Sequence, residues 1–411
     1  MGDVCEGECD LKVVMATHGY KPASKIGGPI VSVAAVAERL AARGHDVTVI
    51  TSDSNLTERL AIDTRCSHLI DGVTVWFNRT LNFREAVLGT RRPRRRLGYL
   101  YSVELRRRAA ECIRRADIVH LQMPFVYPTY AAAREAARYG VPYLYQQRGV
   151  FDPSRMQCRG LKKKLFFHLR ESSVIKRAAG LVALTEQEVT SYRKLGCVNE
   201  IYRVPNGIDL PNLDSLTGAE QQIREIGLDP GRATAIFLGR VNAQKGVRIL
   251  FEAYLVARQK RKDLQLIIAG PDEDGLGEEL RRTAIKKGVS GEVKVIGHVE
   301  GDRKLRLLAG SQVFCLPSNA EGFSMAVLES LAVGTHVLLS PGCNFPEVEL
   351  EDVGRVVPRT VEAFAAGLAL TLRPRERTDS DRQRARVFVE KNYDWERITS
   401  AIENIYERIA T

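Results

Sequence analysis

Short apolar runs alternate with helix-length amphipathic stretches along most of this chain. Leu11 to Thr17 is apolar and ends in a loop rich in Gly and Pro, and a helical pattern follows from Ile30 to Ala42, stopped by Arg43-Gly44. Val47–Thr51, Val73–Phe77, Ile118–Leu121, Tyr143–Gln146 and Leu181–Thr185 continue the series of strands. The pattern restarts at Ala235–Leu238 and repeats at Leu264–Ala269, Val293–Ile296, Val313–Leu316 and His336–Leu339. Strands separated by helix-length segments predict parallel sheets covered on both faces. Val204-Pro-Asn-Gly-Ile-Asp209 and the polar stretch to Gly218 suit a linker. The expectation is an α/β protein of two doubly wound, Rossmann-like domains, residues 1–204 and 205–390. Residues 391–411 should form a helix with Ile398, Ile402, Ile405, Tyr406 and Ile409 on one face, packing back toward the first domain. Two such domains facing a central cleft would place the chemistry at the loops beyond the carboxyl ends of their strands.

A length of 411 residues fits two domains, and 44% hydrophobic with 27% charged residues is ordinary for a globular protein with an ample core. No apolar run reaches the length of a membrane-spanning helix. Met1 to Asp10 lacks the layout of a secretory signal, so the expected location is the cytoplasm. The eight cysteines form no C-x-x-C pair and read as reduced thiols.

Charge changes the picture. Residues 1–200 carry 32 Lys+Arg against 20 Asp+Glu, a net +12, and the remainder carries 29 against 30, a net −1. Arg91, Arg92, Arg94, Arg95 and Arg96 lead into Arg106, Arg107, Arg108, Arg114 and Arg115, and a second cluster is Arg159, Lys162, Lys163 and Lys164 among Leu161, Leu165, Phe166 and Phe167. Solvated helix faces have this composition. So does a surface drawn to anionic membrane, peripheral at the inner face of the cell membrane, or to a phosphate-bearing acceptor. No helix-turn-helix, zinc or aromatic RNA-binding signature accompanies the charge, so nucleic acid is not an expected partner.

The segment Glu321-Gly-Phe-Ser-Met-Ala-Val-Leu-Glu329 follows the strand Val313–Leu316 and a turn ending at Asn319-Ala320. It reads as the opening of a helix with Gly322 and Phe323 at the turn. Unpaired N–H groups at a helix start make a natural seat for a diphosphate. Eight residues at ~100° each put the two carboxylates roughly 80° apart around the axis, facing one cleft from successive turns. An ordinary exposed helix with two acids has the same spacing. Gly239-Arg240 at a strand end and Lys245-Gly246 just beyond suit a diphosphate with a forked guanidinium and a point ammonium. Gly27-Gly28-Pro29 lies between the first strand and helix, where paired glycines let a ligand approach backbone closely. It is not a dinucleotide fingerprint.

In this order the elements resemble glycosyltransferase family 4, whose members are retaining enzymes of the GT-B fold. The resemblance runs from Gly27-Gly28 to the helix after Asp394-Trp395. It includes Pro205-Asn206-Gly207-Ile208-Asp209, Ala269-Gly270-Pro271, Gly297-His298-Val299 and Ala332-Val333-Gly334-Thr335. It implies that Arg240 and Lys245 neutralise the donor diphosphate, that Glu321 holds the transferred sugar and that Glu329 binds the ribose. It further implies that Asn319 and Gly322, Phe323, Ser324 and Met325 lie against sugar and phosphate, and that His298 and Val299 hold the base by main chain. It implies no cofactor and no metal, the nucleotide sugar being a substrate. One departure stands out. Where many members carry a histidine before a glycine, this chain has Gln147-Arg148-Gly149, as in a subset of bacterial surface-polysaccharide enzymes. Arg148 cannot serve as a base and is assigned to anchoring phosphate or acceptor. The implied activity is hexosyl transfer from a UDP- or GDP-linked donor to a glycan or lipid-linked acceptor, as in lipopolysaccharide or other polysaccharide biosynthesis. A sugar-nucleotide epimerase of the same fold and a non-catalytic binding relative are the alternatives.

Overall fold

The computed structural model describes residues 11–23, 25, 27–56, 58–81, 99–152, 166–371 and 379–410. The chain forms two compact units, Met1–Gly207 with Trp395–Thr411, and Ile208–Asp394.

The first unit contains β1 (Lys12–Ala16), β2 (Asp46–Ser52), the short hairpin strands β3 (Ser54–Asn55) and β4 (Glu58–Arg59), and β5 (His68–Ile70). β6 (Val73–Asn78), β7 (Ile118–Gln122), β8 (Tyr143–Gln146), β9 (Gly180–Ala183) and β10 (Ile201–Arg203) complete it. Its main sheet has the order β10-β9-β8-β7-β1-β2-β6-β5. Every pairing in it is parallel except β5 with β6. The chain builds to one side of β1, then crosses to the other side at β7.

The second unit has β11 (Ala233–Leu238), β12 (Leu264–Ala269), β13 (Val293–Gly297), β14 (Val313–Leu316), β15 (His336–Leu339) and β16 (Gly354–Val356). Its order is β13-β12-β11-β14-β15-β16, all parallel, so the change of side falls between β11 and β14. This is the doubly wound order of a Rossmann sheet. Strands covered on both faces are apolar without alternation. In β12 every residue is buried, and the polar one, Gln265, donates to the Asp229 carbonyl at 2.7 Å.

The boundaries differ from the expected 204/205 and 390/391. The turn after β10 belongs to the first unit. Val204 N–H continues the ladder to Ala183 O at 2.9 Å, and a Cβ on Gly207 would lie 2.6 Å from the Trp395 ring. The helix Asp379–Tyr393 runs past 390 in the second unit. Tyr393 packs on Phe388, Phe345 and Phe323, and its carbonyl accepts from Ile208 N–H at 2.7 Å.

The helix Trp395–Ala410 lies in the first unit and buries Trp395, Ile398, Ile402 and Tyr406 in the core beside Met15 and Val33. Ile405 and Ile409 are only partly buried. Arg39 and Arg43 pair with Glu396, and His45 Nε2 lies 2.7 Å from Glu403. Deeper in, His120 Nδ1 in the middle of β7 shares a 2.7 Å hydrogen bond with the Tyr406 hydroxyl.

Of the basic clusters, residues 91–96 and 159–164 lie outside the described residues. Arg106 and Arg107 pair with Glu135 and Glu111. Arg108 is buried, 4.1 Å over the Trp76 ring, and donates to Thr64 O at 2.8 Å. Arg114 and Arg115 are exposed. Among the described residues no helix is long and apolar enough to cross a membrane.

Burial, and secondarily the Arg148 charge, hold His120 down to about 3. Below roughly pH 6.5 the unfolded chain binds a proton that the folded ring refuses. Stability of the first unit therefore falls as pH drops from 7 toward 4, with His120 contributing a slope approaching about 1.4 kcal/mol per pH unit. Thermal or urea unfolding of wild type and His120→Gln across this range tests it: the variant has the shallower pH dependence.

Candidate active site

In the second unit the functional groups gather at the carboxyl ends of β11 and β14, over the point where the strand order changes side. Backbone contact makes this geometry possible. A Cβ on Gly270, just past β12, would fall 1.8 Å from Gly239 O, and one on Gly246, at φ +72°, would fall 2.1 Å from Pro317 O. Both positions therefore require glycine. Between them Asn242 caps the short turn Ala243–Lys245, accepting from Lys245 N–H at 3.1 Å. Opposite, Glu321 N–H donates to Gly342 O at 2.8 Å, and the Asn344 side chain donates to Glu321 O at 2.9 Å. These anchors aim Lys245 and Glu321 at each other. The ammonium meets both carboxylate oxygens, at 2.7 and 2.8 Å, with side-chain exposures of only 17% and 7%.

Arg240 points to a different partner. Its guanidinium pairs with Glu273 at 3.1 Å, and Asn242 donates to the same carboxylate at 3.0 Å. This pair is about half exposed, and screening leaves it weak. Asn319 lies nearby with its N–H donating to Gln244 O at 2.9 Å.

The paired glutamates do not share a helix as expected. The helix spans Met325–Ala332, with Ser324 extended at its N-cap, so Glu321 stays in the loop and the rotation argument does not apply to it. The hooks from Gly342 and Asn344 hold that stretch out of helical geometry. Gly322 and Phe323 are half-buried in the same loop, and Phe323 packs 4.8 Å from Phe345. Glu329 lies within the helix and pairs with Lys304 at 2.8 Å. His298 is exposed and lies 3.4 Å from Glu300, while Val299 is buried.

In the first unit Arg148 stands just past β8 at φ +51°. Its side chain is buried and bridges three segments. Nε donates to Gln122 Oε1 at 2.7 Å, and Nη1 donates to Ser32 Oγ at 2.7 Å and to Asn206 Oδ1 at 3.3 Å. All three partners are neutral. Burial pulls the guanidinium down only to about 10, so it is cationic at neutral pH. Ser32 passes the hydrogen bonding on to the carbonyls of Gly28 and Pro29, at 3.2 Å each. That helix, Gly28–Ala42, has Gly27 at its N-cap with φ +87°, no side-chain cap and no acid in its first turn. A Cβ on Gly27 or Gly28 would meet nothing within 4 Å, so both glycines border open space.

Sequence reasoning missed Asn242, Glu273, Lys304 and Asn344 in the second unit, and Ser32 and Gln122 in the first. Glu273 directly follows the Gly270-Pro271-Asp272 turn, a signal that could have found it. Nothing local marks Gln122. Among the described residues no group of three or more His, Cys, Asp or Glu side chains could hold a metal ion.

Two nucleotide-scale α/β sheets, each with polar groups at its switch point, define a class of protein, and comparison with known families makes it specific. The family model described as "Glycosyltransferase Family 4" matches residues 26–211, and that described as "Glycosyl transferases group 1" matches residues 219–407. The chain belongs to family 4 of the glycosyltransferases, and its fold is GT-B. It is similar to a phosphatidyl-myo-inositol mannosyltransferase of Mycobacterium leprae, 31% identical over 52% of this chain and 55% of that protein. It is also similar to a GDP-mannose:cellobiosyl-diphosphopolyprenol alpha-mannosyltransferase of Xanthomonas campestris, 25% identical over 70% of this chain and 72% of that protein. The crystal structure of Anabaena HepE in complex with UDP superposes with a TM-score of 0.73 at 16% identity, covering 97% of this chain and all of that one.

The Lys245–Glu321 pair carries a stability consequence. Lys245→Met leaves a nearly buried carboxylate without its cation and should destabilise the second unit by about 3 kcal/mol. Adding Glu321→Gln should recover part of that loss, and a double-mutant cycle in urea reads the coupling. Additive losses would show that the pair is not energetically linked.

Proposed function

We propose that the protein is a retaining glycosyltransferase. It moves a hexosyl unit from a UDP- or GDP-linked donor to a hydroxyl of a glycan or lipid-linked acceptor in polysaccharide assembly. The Lys245–Glu321 pair over the β11/β14 switch point carries this reading. It sets a cation for the donor diphosphate against an acid for the sugar hydroxyls in one nearly dry place. Similar proteins named for GDP-mannose, a diphosphopolyprenol and phosphatidyl-myo-inositol support the donor and acceptor classes.

In this reading the diphosphate takes over Lys245 and Arg240, which stabilise the negative charge that develops as the leaving nucleotide departs. Glu321 accepts hydrogen bonds from the sugar, and Glu329 from the ribose. Gly322 to Met325 offer backbone N–H groups, and the loop at His298 and Val299 holds the base. The sugar C1–O bond to the diphosphate breaks and a C1–O bond to the acceptor forms on the same face. The acceptor proton passes to a phosphate oxygen, and the nucleoside diphosphate leaves. Arg148 is a positioning residue: through Ser32 it sets the Gly27-Gly28 turn.

A panel of nucleotide sugars with and without hydroxyl acceptors tests the proposal. Acceptor-dependent release of nucleotide is expected. Product without acceptor would mark an epimerase, and binding with no turnover a non-catalytic relative. Glu321→Ala should abolish transfer while nucleotide affinity survives; equal loss of both would overturn its assignment to the sugar. Side-chain cations supply the charge that a metal would otherwise bring, so chelation with EDTA should leave the rate unchanged, and restoration of an EDTA-lowered rate by a divalent ion would refute that.

A further inference from the structure

A second concave site lies in the first unit, away from the loops that follow its strands. Its floor is Tyr143, the first residue of β8, whereas Arg148 follows the other end of that strand, about 10 Å along it. Two helical stretches form the walls. One is the helix Tyr127–Tyr139, and the other is Phe167–Glu171, wound as a π-helix and continuing into Ser172–Lys176. The cavity between them measures about 250 Å³.

Three arginines line it: Arg134 from the first wall, Arg170 and Arg177 from and just past the second. Arg170 and Arg177 are two helical turns apart, so both face the same way. No carboxylate lines the cavity, and none of the three arginines makes an ion pair among the described residues. Arg170 is held in place. Its guanidinium lies 5.0 Å over the Tyr130 ring and 5.8 Å over Phe166, and it donates to the Tyr99 hydroxyl at 3.3 Å. The exposed Ser173 adds a hydroxyl, and Leu169, 70% exposed, adds an apolar edge. Like charges converging on one cavity repel unless an anion joins them, and guanidinium forks match the oxygens of a phosphate.

We propose that this three-arginine cavity binds a phosphate-bearing ligand at a site separate from the glycosyl-transfer chemistry. A soluble phosphate and a lipid headgroup offer the same oxygens, and the test separates them. Phenylglyoxal labelling of the full chain, read by mass spectrometry at each arginine, is run with inorganic diphosphate, with phosphatidylglycerol vesicles and with phosphatidylcholine vesicles. Arg138, on the same helix but paired with Glu135, is the internal control. Labelling of Arg134 and Arg177 should slow about tenfold once a binding probe reaches roughly ten times its Kd, with Arg138 unchanged. Protection by diphosphate but not by vesicles assigns a soluble ligand. Protection by phosphatidylglycerol vesicles, and not by phosphatidylcholine, assigns a lipid headgroup. In Arg134→Gln/Arg177→Gln, which removes no ion pair among the described residues, protection of Arg170 should disappear. Equal labelling with and without every probe, or protection of Arg138 to the same degree, overturns the proposal.

Discussion

An open parallel sheet that is to be covered by helices on both faces must start somewhere in its middle and grow toward both edges. At the starting strand the next connections pass over opposite faces, because each crossover keeps the same hand. The loops leaving the two central strands therefore part and leave a gap that no helix fills. Each unit of this protein has such a gap, β1/β7 in one and β11/β14 in the other, and its chemistry-bearing residues sit there. The strands themselves carry mostly apolar side chains. They supply rigidity, and the gap supplies room.

What spans the two gaps differs in kind. In the second unit an ammonium meets a carboxylate, so the charges cancel within the site. In the first unit a guanidinium meets an amide, a hydroxyl and a second amide. Those neutral partners fix its orientation, and the buried Glu188 carboxylate favours its charged form. One arrangement is a salt bridge and the other a cation held by neutral groups near a helix with no side-chain cap. Burial first, and the Arg148 charge second, hold His18 down to about 4 and keep His120 uncharged as well.

The long buried strands were legible in the sequence because covering both faces of a parallel sheet demands unbroken apolar runs. Short edge strands such as β5, β10 and β16 were not, since three residues carry no period. The motif order disclosed which loops matter, but not how their side chains pair. Glu321 looked helical because local pattern says nothing of Gly342 and Asn344, which hold it in a loop from more than twenty residues away. The partners of Arg148 lie 26, 58 and 116 residues from it, and only the fold brings them together. The basic stretches misled in part: Arg108 belongs to the interior, where its flat guanidinium stacks on an indole.

The helix that completes the first unit is made after the whole of the second unit. On a ribosome the segment Ile208–Asp394 is wholly synthesised before Trp395 appears. The later unit in sequence thus has all of its parts first, whereas the earlier one waits with the floor under Met15 and Val33 uncovered and the His120 ring without its tyrosine. Domains usually fold in the order of their synthesis. Here the order of completion is inverted, and the nascent first unit must remain soluble, with an apolar face open, through the translation of nearly two hundred residues.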